Sequence, residues 1–175
     1  GISMIQQHFS LVPAHTVTEN IILGNCKGKL DIKKKEKEIQ ALAEQYGFQV
    51  PAGEYVKNLS VGTQQKVEIL KALYLNARVL IMDEPTAVLT PQEIDTLMEF
   101  VRRYVEKGNS VVFITHKMRE VMAVSDTIVV MRNGSICGTV KKTDTSETEL
   151  AHMMIGHELE TLEKPGTEDM SNRRV

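Results

Sequence analysis

The sequence predicts an α/β fold in which most strands are parallel. Two continuous apolar runs, Val79–Met82 and Val111–Ile114, are typical of strands that are buried on both faces. An amphipathic helix is expected between them, opening near Pro91. A strand, a helix and a second strand in this order indicate a parallel crossover connection. The length of 175 residues and the hydrophobic content of 42% suit a globular domain with a sizeable core.

Three helices are predicted ahead of the first of these strands. The pattern Thr16-x-x-Glu19 is a capping box and indicates a helix over Val17–Leu23. A second helix is expected over Asp31–Tyr46, and a third from Ser60 to about Asn76, where apolar residues recur at helical spacing. The first two are local features that carry no chemistry by themselves.

The remaining elements follow the second strand. Asn133-Gly134 is a typical two-residue hairpin turn, so the strands on either side of it are expected to pair antiparallel. The expected elements are a short helix at Lys117–Met122, strands at Thr127–Met131 and Ser135–Val140, and a helix near Glu147–Met154. Residues 158–175 are polar and without periodicity, which predicts a linker or a disordered tail.

The charge balance argues against a nucleic-acid partner. The formal net charge is −2 and the isoelectric point is near 6.2, so no basic field surrounds the protein. In the basic run Lys33–Lys37, Asp31 precedes Lys35 by four positions. Lys34 precedes Glu38 by the same interval, so both pairs fit a solvated helix face.

Other features of the sequence argue against further classes of protein. No apolar run approaches the roughly 20 residues of a membrane span, and no secretory signal pattern opens the chain. Cys26 and Cys137 lie far apart without the spacing of a metal site or a disulfide framework. The chain begins at Gly1 rather than at an initiator methionine, and is expected to be an excerpt of a longer one.

Two carboxylates and a histidine follow the predicted parallel strands. Asp83 and Glu84 end the first strand, where ligand sites of open α/β sheets lie. A hydrophobic run followed by Asp-Glu has the form of a Walker B motif, whose Asp holds Mg²⁺ and whose Glu polarises the attacking water. His116 ends the second strand and is expected at the same edge. Alternatively, the acidic pair only caps the next helix and the histidine is structural.

The segment Leu59–Gln65 opens the third predicted helix. Ser60 supplies a hydroxyl N-cap, and Gly62 lies in the first turn. Free backbone N–H groups at such a helix start make an anion site. The alternative is an ordinary helix cap.

Together these segments resemble the ABC transporter ATPase family, and the likeness covers nearly everything from Gly1 to about Gly156. Four motifs occur in the family's order: the Q-loop at Met4–Phe9 with Gln7 as its glutamine, the signature motif at Leu59–Gln65, Walker B at Val79–Glu84, and the switch histidine His116. The resemblance implies a partial P-loop NTPase (RecA-like) core of mostly parallel strands with an inserted helical subdomain. It assigns 1–157 to a partial cassette, with the helical subdomain at about 14–76 and the C-terminal part of the catalytic core at 77–157.

Two segments narrow the resemblance within the family. Glu84–Pro91 and Met153–Gly156 are similar to the first cassette of double-cassette ATPases that serve simple-sugar and nucleoside importers. Residues 158–175 would then link two cassettes. Val61 and Thr63 replace the usual Gly and Gln of the signature, and Thr90 stands where many cassettes place the D-loop Asp.

The resemblance implies ATP hydrolysis that drives uptake of a small solute, a simple sugar or a nucleoside. Asp83 and Gln7 are expected to help hold Mg²⁺, Glu84 to polarise the water and His116 to contact the γ-phosphate. Residues of the signature are expected to contact ATP held by the other cassette; these are Ser60, Val61, Gly62, Thr63 and Gln64. The implied partners are permease subunits, a second cassette and, indirectly, a solute-binding protein, at the cytoplasmic face of the plasma membrane.

The printed sequence holds no Gly-x-x-x-x-Gly-Lys-[Ser/Thr] loop, the Walker A phosphate cradle. The segment Gly24–Leu30 is only superficially similar, because three residues separate its glycines and Leu30 replaces the hydroxyl residue. By itself the chain is therefore expected to bind ATP poorly and to be inactive.

Two other functions stay open. A regulatory cassette would bind nucleotide and dimerise without hydrolysis; Thr90 favours this function, whereas intact Glu84 and His116 oppose it. A relative acting on DNA or ribosomes is disfavoured by the acidic balance, the absence of coiled-coil flanks and the importer-like Thr86–Pro91 segment.

Overall fold

The computed structural model describes residues 1–25 and 30–155. The chain divides into two compact units, Gly1–Ser125 and Asp126–Val175, and the second is described as far as Ile155. The expected helical subdomain and the first strands of the expected core therefore share one unit. Their division near residue 76 stays a prediction.

Several predictions fall outside the described residues. These are the tail at 158–175, Cys26, Gly156 of the closing segment and the middle of Gly24–Leu30. These predictions therefore rest on the sequence alone.

A parallel sheet of three strands organises the first unit. Its strands are β1 (Ile2–Ile5), β2 (Val79–Asp83) and β3 (Ser110–Ile114), in the order β1-β2-β3. Ile2 pairs with Val79, and Val79 pairs with Ser110. The parallel crossover predicted from the two apolar runs is confirmed. β1 was not among the predicted strands, and its long-range pairing with β2 adds a third parallel strand.

Five helices accompany this sheet: α1 (Val17–Ile22), α2 (Ile32–Gln45), α3 (Val61–Tyr74), α4 (Pro91–Glu106) and α5 (Met118–Val124). A 3₁₀ turn at Val56–Asn58 precedes α3. The capping box predicted for α1 is present, since the Thr16 N–H donates to Glu19 Oε2 at 2.7 Å and the Glu19 N–H donates to Thr16 Oγ1 at 3.2 Å.

The basic run lies on α2, as expected, but its charge pairing differs from the prediction. Asp31 caps the helix by accepting the Lys34 N–H at 3.1 Å, so its carboxylate is engaged with the backbone. Lys35 pairs instead with Glu38, at 2.6 Å. The helix ends ahead of Gly47, whose φ of 75° suits the reversal of the chain there.

Aromatic rings fill part of the core of the first unit. Phe100 of α4 contacts Phe48, Tyr46 and Tyr104, with ring centroids 5.2, 5.7 and 5.6 Å away. The buried Tyr104 hydroxyl donates to the carbonyl of Ala77 at 2.5 Å, which ties α4 to the start of β2. Burial raises the pKa of Tyr104.

One face of the three-stranded sheet carries exposed apolar side chains. Leu80 and Met82 of β2 are buried on the opposite face, together with Ile5 of β1. The exposed side chains belong to the two outer strands and are Ile2, Met4, Val112 and Ile114. Parallel sheets are ordinarily covered on both faces, so this surface is unusual for its strand type.

The second unit is a hairpin followed by a helix. β4 (Thr127–Arg132) and β5 (Ser135–Lys141) pair antiparallel, and the register shifts between Val130 and Met131, which leaves Cys137 as the extra, bulged residue of β5. Asn133 and Gly134 have φ values of 51° and 75°, as the predicted hairpin turn requires. After a short 3₁₀ turn, α6 (Glu147–Ile155) packs on both strands and buries Leu150. None of the helices in the described ranges is both long and apolar enough to span a bilayer.

Candidate active site

The predicted Walker B carboxylates and the switch histidine meet at one edge of the sheet. Asp83 is the last residue of β2 and pairs with Ile114, the last residue of β3. Glu84 follows Asp83, and its Oε1 lies 2.7 Å from Nδ1 of His116. The side chains that the sequence assigned to two strand ends are therefore in direct contact.

The backbone of Glu84 takes a conformation that few residues adopt. Its φ is 45°, in the left-handed region, which costs a non-glycine residue about 1 kcal/mol or more. Neighbouring bonds hold it there: the Glu84 N–H donates to the Ile114 carbonyl at 2.9 Å, and the Ala87 N–H donates to the Glu84 carbonyl at 3.2 Å. The strain falls on the residue whose carboxylate meets His116.

The two oxygens of Glu84 differ in surroundings. Oε1 contacts His116, whereas Oε2 is buried and has no hydrogen-bond partner among the described residues. The Glu84 side chain is 19% exposed and that of His116 is 70% exposed. A carboxylate with one unpaired oxygen keeps the capacity to accept a further hydrogen bond, which a general base requires.

Beneath this pair lies a polar cluster that sequence reasoning missed. Thr86 is 1% exposed, and its Oγ1 lies 2.7 Å from both carboxylate oxygens of Glu120, which is buried in the first turn of α5. Thr115 and Lys117, on either side of His116, also contact this carboxylate. Sequence alone does not identify Glu120 as part of the site, because an acidic residue in the first turn of a helix is ordinarily explained by the helix dipole.

The signature residues form the start of α3, as predicted. Ser60 is the N-cap, and its Oγ accepts the Thr63 N–H at 3.3 Å and lies 3.0 Å from Thr63 Oγ1. Gln64 Nε2 donates to the Leu59 carbonyl at 3.1 Å, and Val61 is exposed. Thr63 thus takes part in the cap at a position where the family usually has Gln.

Gly62 stands against the side chain of Glu93 from α4. A Cβ at this position would overlap the Glu93 carboxylate, so any larger residue requires that side chain to move. Within the described ranges, no hydrogen bond joins Ser60, Gly62 or their signature neighbours to Asp83, Glu84 or His116.

Gln7 lies just beyond β1, at the same sheet edge as the carboxylates. Ile5 pairs with Met82, so the chain after β1 leaves the sheet beside the end of β2. Gln7 itself is exposed. A few residues later, Ser10 donates both its N–H and its Oγ–H to Oε1 of the buried Glu68, at 2.7 and 3.0 Å, which joins the segment after Gln7 to α3.

The residues at this edge suit Mg²⁺ only in part. No group of three or more His, Cys, Asp or Glu side chains in the described parts of the chain forms a ready metal site. Mg²⁺ usually keeps several waters and uses one or two carboxylates together with substrate phosphates. A half-buried Asp83 beside an exposed Gln7 fits that pattern.

Thr90, at the D-loop position, is the N-cap of α4. Its Oγ1 accepts the Glu93 N–H at 3.4 Å, and its own N–H donates to Glu93 Oε2 at 2.9 Å, which completes a capping box. This backbone hydrogen bond, followed by the one from the Thr90 hydroxyl, lowers the pKa of Glu93. Thr90 therefore has a local structural role.

Comparison with known proteins identifies relatives of this chain. A family model described as ABC transporter matches residues 1–87. The chain is 51% identical over 159 residues to the nucleoside import ATP-binding protein NupA of Lactococcus lactis subsp. cremoris, a match that covers 89% of this chain and 31% of that protein. It is 42% identical over 190 residues to the glucose import ATP-binding protein TsgD13 of Haloferax volcanii, with 91% and 34% covered. The chain thus spans about a third of the length of the curated relatives it matches.

Solved structures share the fold. The ATP-binding cassette MJ0796, in a dimeric post-hydrolysis state bound to ADP and Pi, is 25% identical with a TM-score of 0.69, over 81% of this chain and 62% of that one. The protein cbiO1 from Clostridium perfringens, part of the ABC transporter complex cbiONQ, is 25% identical with a TM-score of 0.68, over 81% and 57%. The predicted P-loop NTPase fold class is confirmed. By its motifs, its sheet and its relatives, this chain belongs to the ABC transporter family, as part of an ATP-binding cassette.

Proposed function

We propose that, in the complete protein, this chain forms the hydrolytic edge and the signature helix of an ABC importer ATPase, which couples ATP binding and hydrolysis to uptake of a small solute. The observation that carries the proposal is the 2.7 Å contact between Glu84 and His116 directly after Asp83. Capping of the next helix, the alternative role for the acidic pair, belongs to Thr90 instead. Asp83 and Glu84 are therefore not needed to cap that helix.

Each side chain at this edge has a role in the proposed mechanism. Asp83 and Gln7 would help hold Mg²⁺, which would neutralise charge on the phosphates. Glu84 accepts a hydrogen bond from the attacking water and orients that water. His116 is exposed and contacts the γ-phosphate as charge develops there.

The signature helix acts on a second nucleotide site. The first N–H groups of α3 and the residues Ser60, Val61, Gly62, Thr63 and Gln64 face ATP held by another cassette. No hydrogen bond joins them to the Asp83 edge in the described residues, which is compatible with an action in trans. The second cassette is proposed to lie in the same full-length chain.

The proposed solute, partners and location rest on the relatives. Their names describe import of nucleosides or sugars, and we extend that solute class to this protein as part of the proposal. The proposed partners are permease subunits and, through them, a solute-binding protein. The cassette would then act at the cytoplasmic face of the plasma membrane.

The test replaces Glu84 in the full-length protein. Glu84→Gln keeps the size of the side chain but removes its basicity, so turnover should fall by about 100-fold or more while ATP binding persists. Glu99→Gln, an exposed change on α4 that breaks only a pair with Arg103, is the matched control and should keep full turnover. Undiminished turnover in Glu84→Gln would favour the regulatory cassette that binds nucleotide without hydrolysis.

The chain by itself should neither bind ATP tightly nor hydrolyse it, because the printed sequence holds no Walker A loop. Equilibrium binding of ATP and phosphate release should be compared between this chain and the full-length protein. Activity in the full-length protein alone is the expected result. Activity in the isolated chain would show that the Walker A loop is dispensable, and activity in neither would point to regulation.

A further inference from the structure

One buried carboxylate contacts both segments that carry the catalytic candidates. Glu120 is 7% exposed, and both its oxygens lie 2.7 Å from Oγ1 of Thr86. Its Oε2 also accepts the Thr115 hydroxyl at 3.3 Å. Thr86 is two residues after Glu84, and Thr115 directly precedes His116.

Lys117 completes the cluster from the other side of His116. Its Nζ lies 3.3 Å from Glu120 Oε1 and donates to the carbonyl and the hydroxyl of Thr86, at 3.2 and 3.1 Å. The ammonium compensates the buried negative charge, which would otherwise be costly. Segments 84–86 and 115–117 are thereby joined side chain to side chain beneath the sheet edge.

The strained backbone of Glu84 makes this connection relevant to chemistry. A left-handed φ at a non-glycine residue persists only where surrounding contacts enforce it. Strand pairing fixes the Glu84 N–H from one side, and the Glu120 cluster fixes Thr86 from the other. Loss of that anchor would let the turn relax and move the Glu84 carboxylate relative to His116.

We propose that Glu120 is a positioning residue for hydrolysis, which acts through Thr86 to hold Glu84 against His116. This inference rests on the proposed function. Glu120 does not contact Glu84 or His116 by any hydrogen bond in the described structure, so its influence passes through its neighbours. Its loss should therefore reduce the rate of the chemical step and spare nucleotide binding.

The experiment uses the full-length protein and measures kcat and KM for ATP. Glu120→Gln keeps the shape of the side chain but places an amide against Lys117, so kcat should fall by about 10- to 100-fold, since small misplacements of catalytic groups have effects of this size. KM for ATP should change by less than about twofold. Glu99→Gln serves again as the control, and thermal unfolding of each variant confirms that it is folded.

A second pair of variants separates positioning from mere stability. Thr86→Val removes the hydroxyl that Glu120 holds, and should lower kcat as Glu120→Gln does. Thr86→Ser restores a hydroxyl and should restore kcat. In the double variant Glu120→Gln/Thr86→Val the rate should fall no further than in either single variant, because both changes break the same connection.

The outcomes separate the two proposals. If Glu84→Gln abolishes turnover while folded Glu120→Gln and Thr86→Val keep normal kcat, the positioning role is wrong and the proposed function stands. Equal losses with serine and valine at position 86, or a rise in KM with kcat unchanged, would also overturn it. If Glu84→Gln leaves turnover intact, the proposed function fails and this inference fails with it.

Discussion

Thr90 shows how one side chain at a functional position serves the fold. The family usually has Asp at this point of the D-loop, and both Asp and Thr are good N-caps. Here the Thr90 hydroxyl caps α4 and the Glu93 carboxylate returns to the Thr90 N–H. Substitution of Asp by Thr at this position therefore keeps the helix start intact.

Removal of the cap should have a measurable cost. Thr90→Ala is expected to lower the free energy of unfolding by about 1 kcal/mol, and Thr90→Asp to leave it nearly unchanged. Urea unfolding of the three proteins, followed by circular dichroism, compares them directly. If Thr90→Asp were as unstable as Thr90→Ala, the hydroxyl would have a role that an ordinary cap does not explain.

The site residues differ in how far sequence alone predicts them. Asp83 and His116 each follow an apolar run, so their positions at one sheet edge follow from strand direction alone. Glu120 contacts Thr86 across 34 positions of sequence, and no local pattern marks such a contact. Residues placed by a strand end were predictable, whereas a residue that supports them through tertiary packing was not.

At the scale of elements, the two capping boxes make the stability of their helix starts depend on pH. Glu19 and Glu93 each accept a backbone N–H and a hydroxyl from the N-cap threonine of α1 or α4. In each case the backbone hydrogen bond is the main cause that lowers the pKa of the carboxyl below its ordinary value of 4.5. The stabilisation is therefore present above about pH 4.5 and is lost as the pH falls through the lowered pKa.

This linkage predicts the behaviour of Glu93→Gln. The variant should lose part of the wild-type dependence of unfolding free energy on pH, in the range below about pH 4.5. Gln92→Ala, a change at an exposed neighbour without a titrating group, should keep that dependence. Urea unfolding at a series of pH values gives both slopes, and identical slopes in Glu93→Gln and wild type would refute the capping role.

Element boundaries were predicted to within a few residues where their signals are local. The box at Thr16, the apolar period of α3 and the Asn133-Gly134 turn all act over fewer than about ten positions. β1 lacked such a signal, because four residues are too short to show a period and its partner is distant in sequence. Its place in the sheet depends on tertiary pairing.

At the largest scale, the first unit exposes an apolar face of its sheet in the described structure. Ile2 and Met4 on β1 are 74% and 50% exposed, and Val112 and Ile114 on β3 are 49% and 45% exposed. Contiguous apolar surface of this kind promotes association between molecules. We therefore expect the isolated chain to associate with itself in solution.

The isolated chain is expected to self-associate at micromolar concentration and to bind the dye ANS. Val112→Lys places a charge on the exposed face and should shift sedimentation toward the monomer, with little change in secondary structure. Val105→Lys is a control, because Val105 is also exposed but belongs to α4 and not to a strand. A monomer that binds no dye, or an equal effect of both substitutions, would contradict this explanation.

The register of the sheet also orders events during synthesis. Ile2 of β1 pairs with Val79 of β2, so this pairing becomes possible only after Val79 has been synthesised. The helices α1 to α3 are synthesised in between. At 5–20 residues per second, the ribosome needs roughly 4–15 s to cover that interval. Since helices form in microseconds, α1 to α3 are able to assemble first, and in a chain that starts at Gly1 the nascent β1 has no partner among the described strands until β2 emerges. Ribosome-bound chains cut short before residue 79 should therefore leave β1 open to protease, and chains extended beyond β2 should protect it.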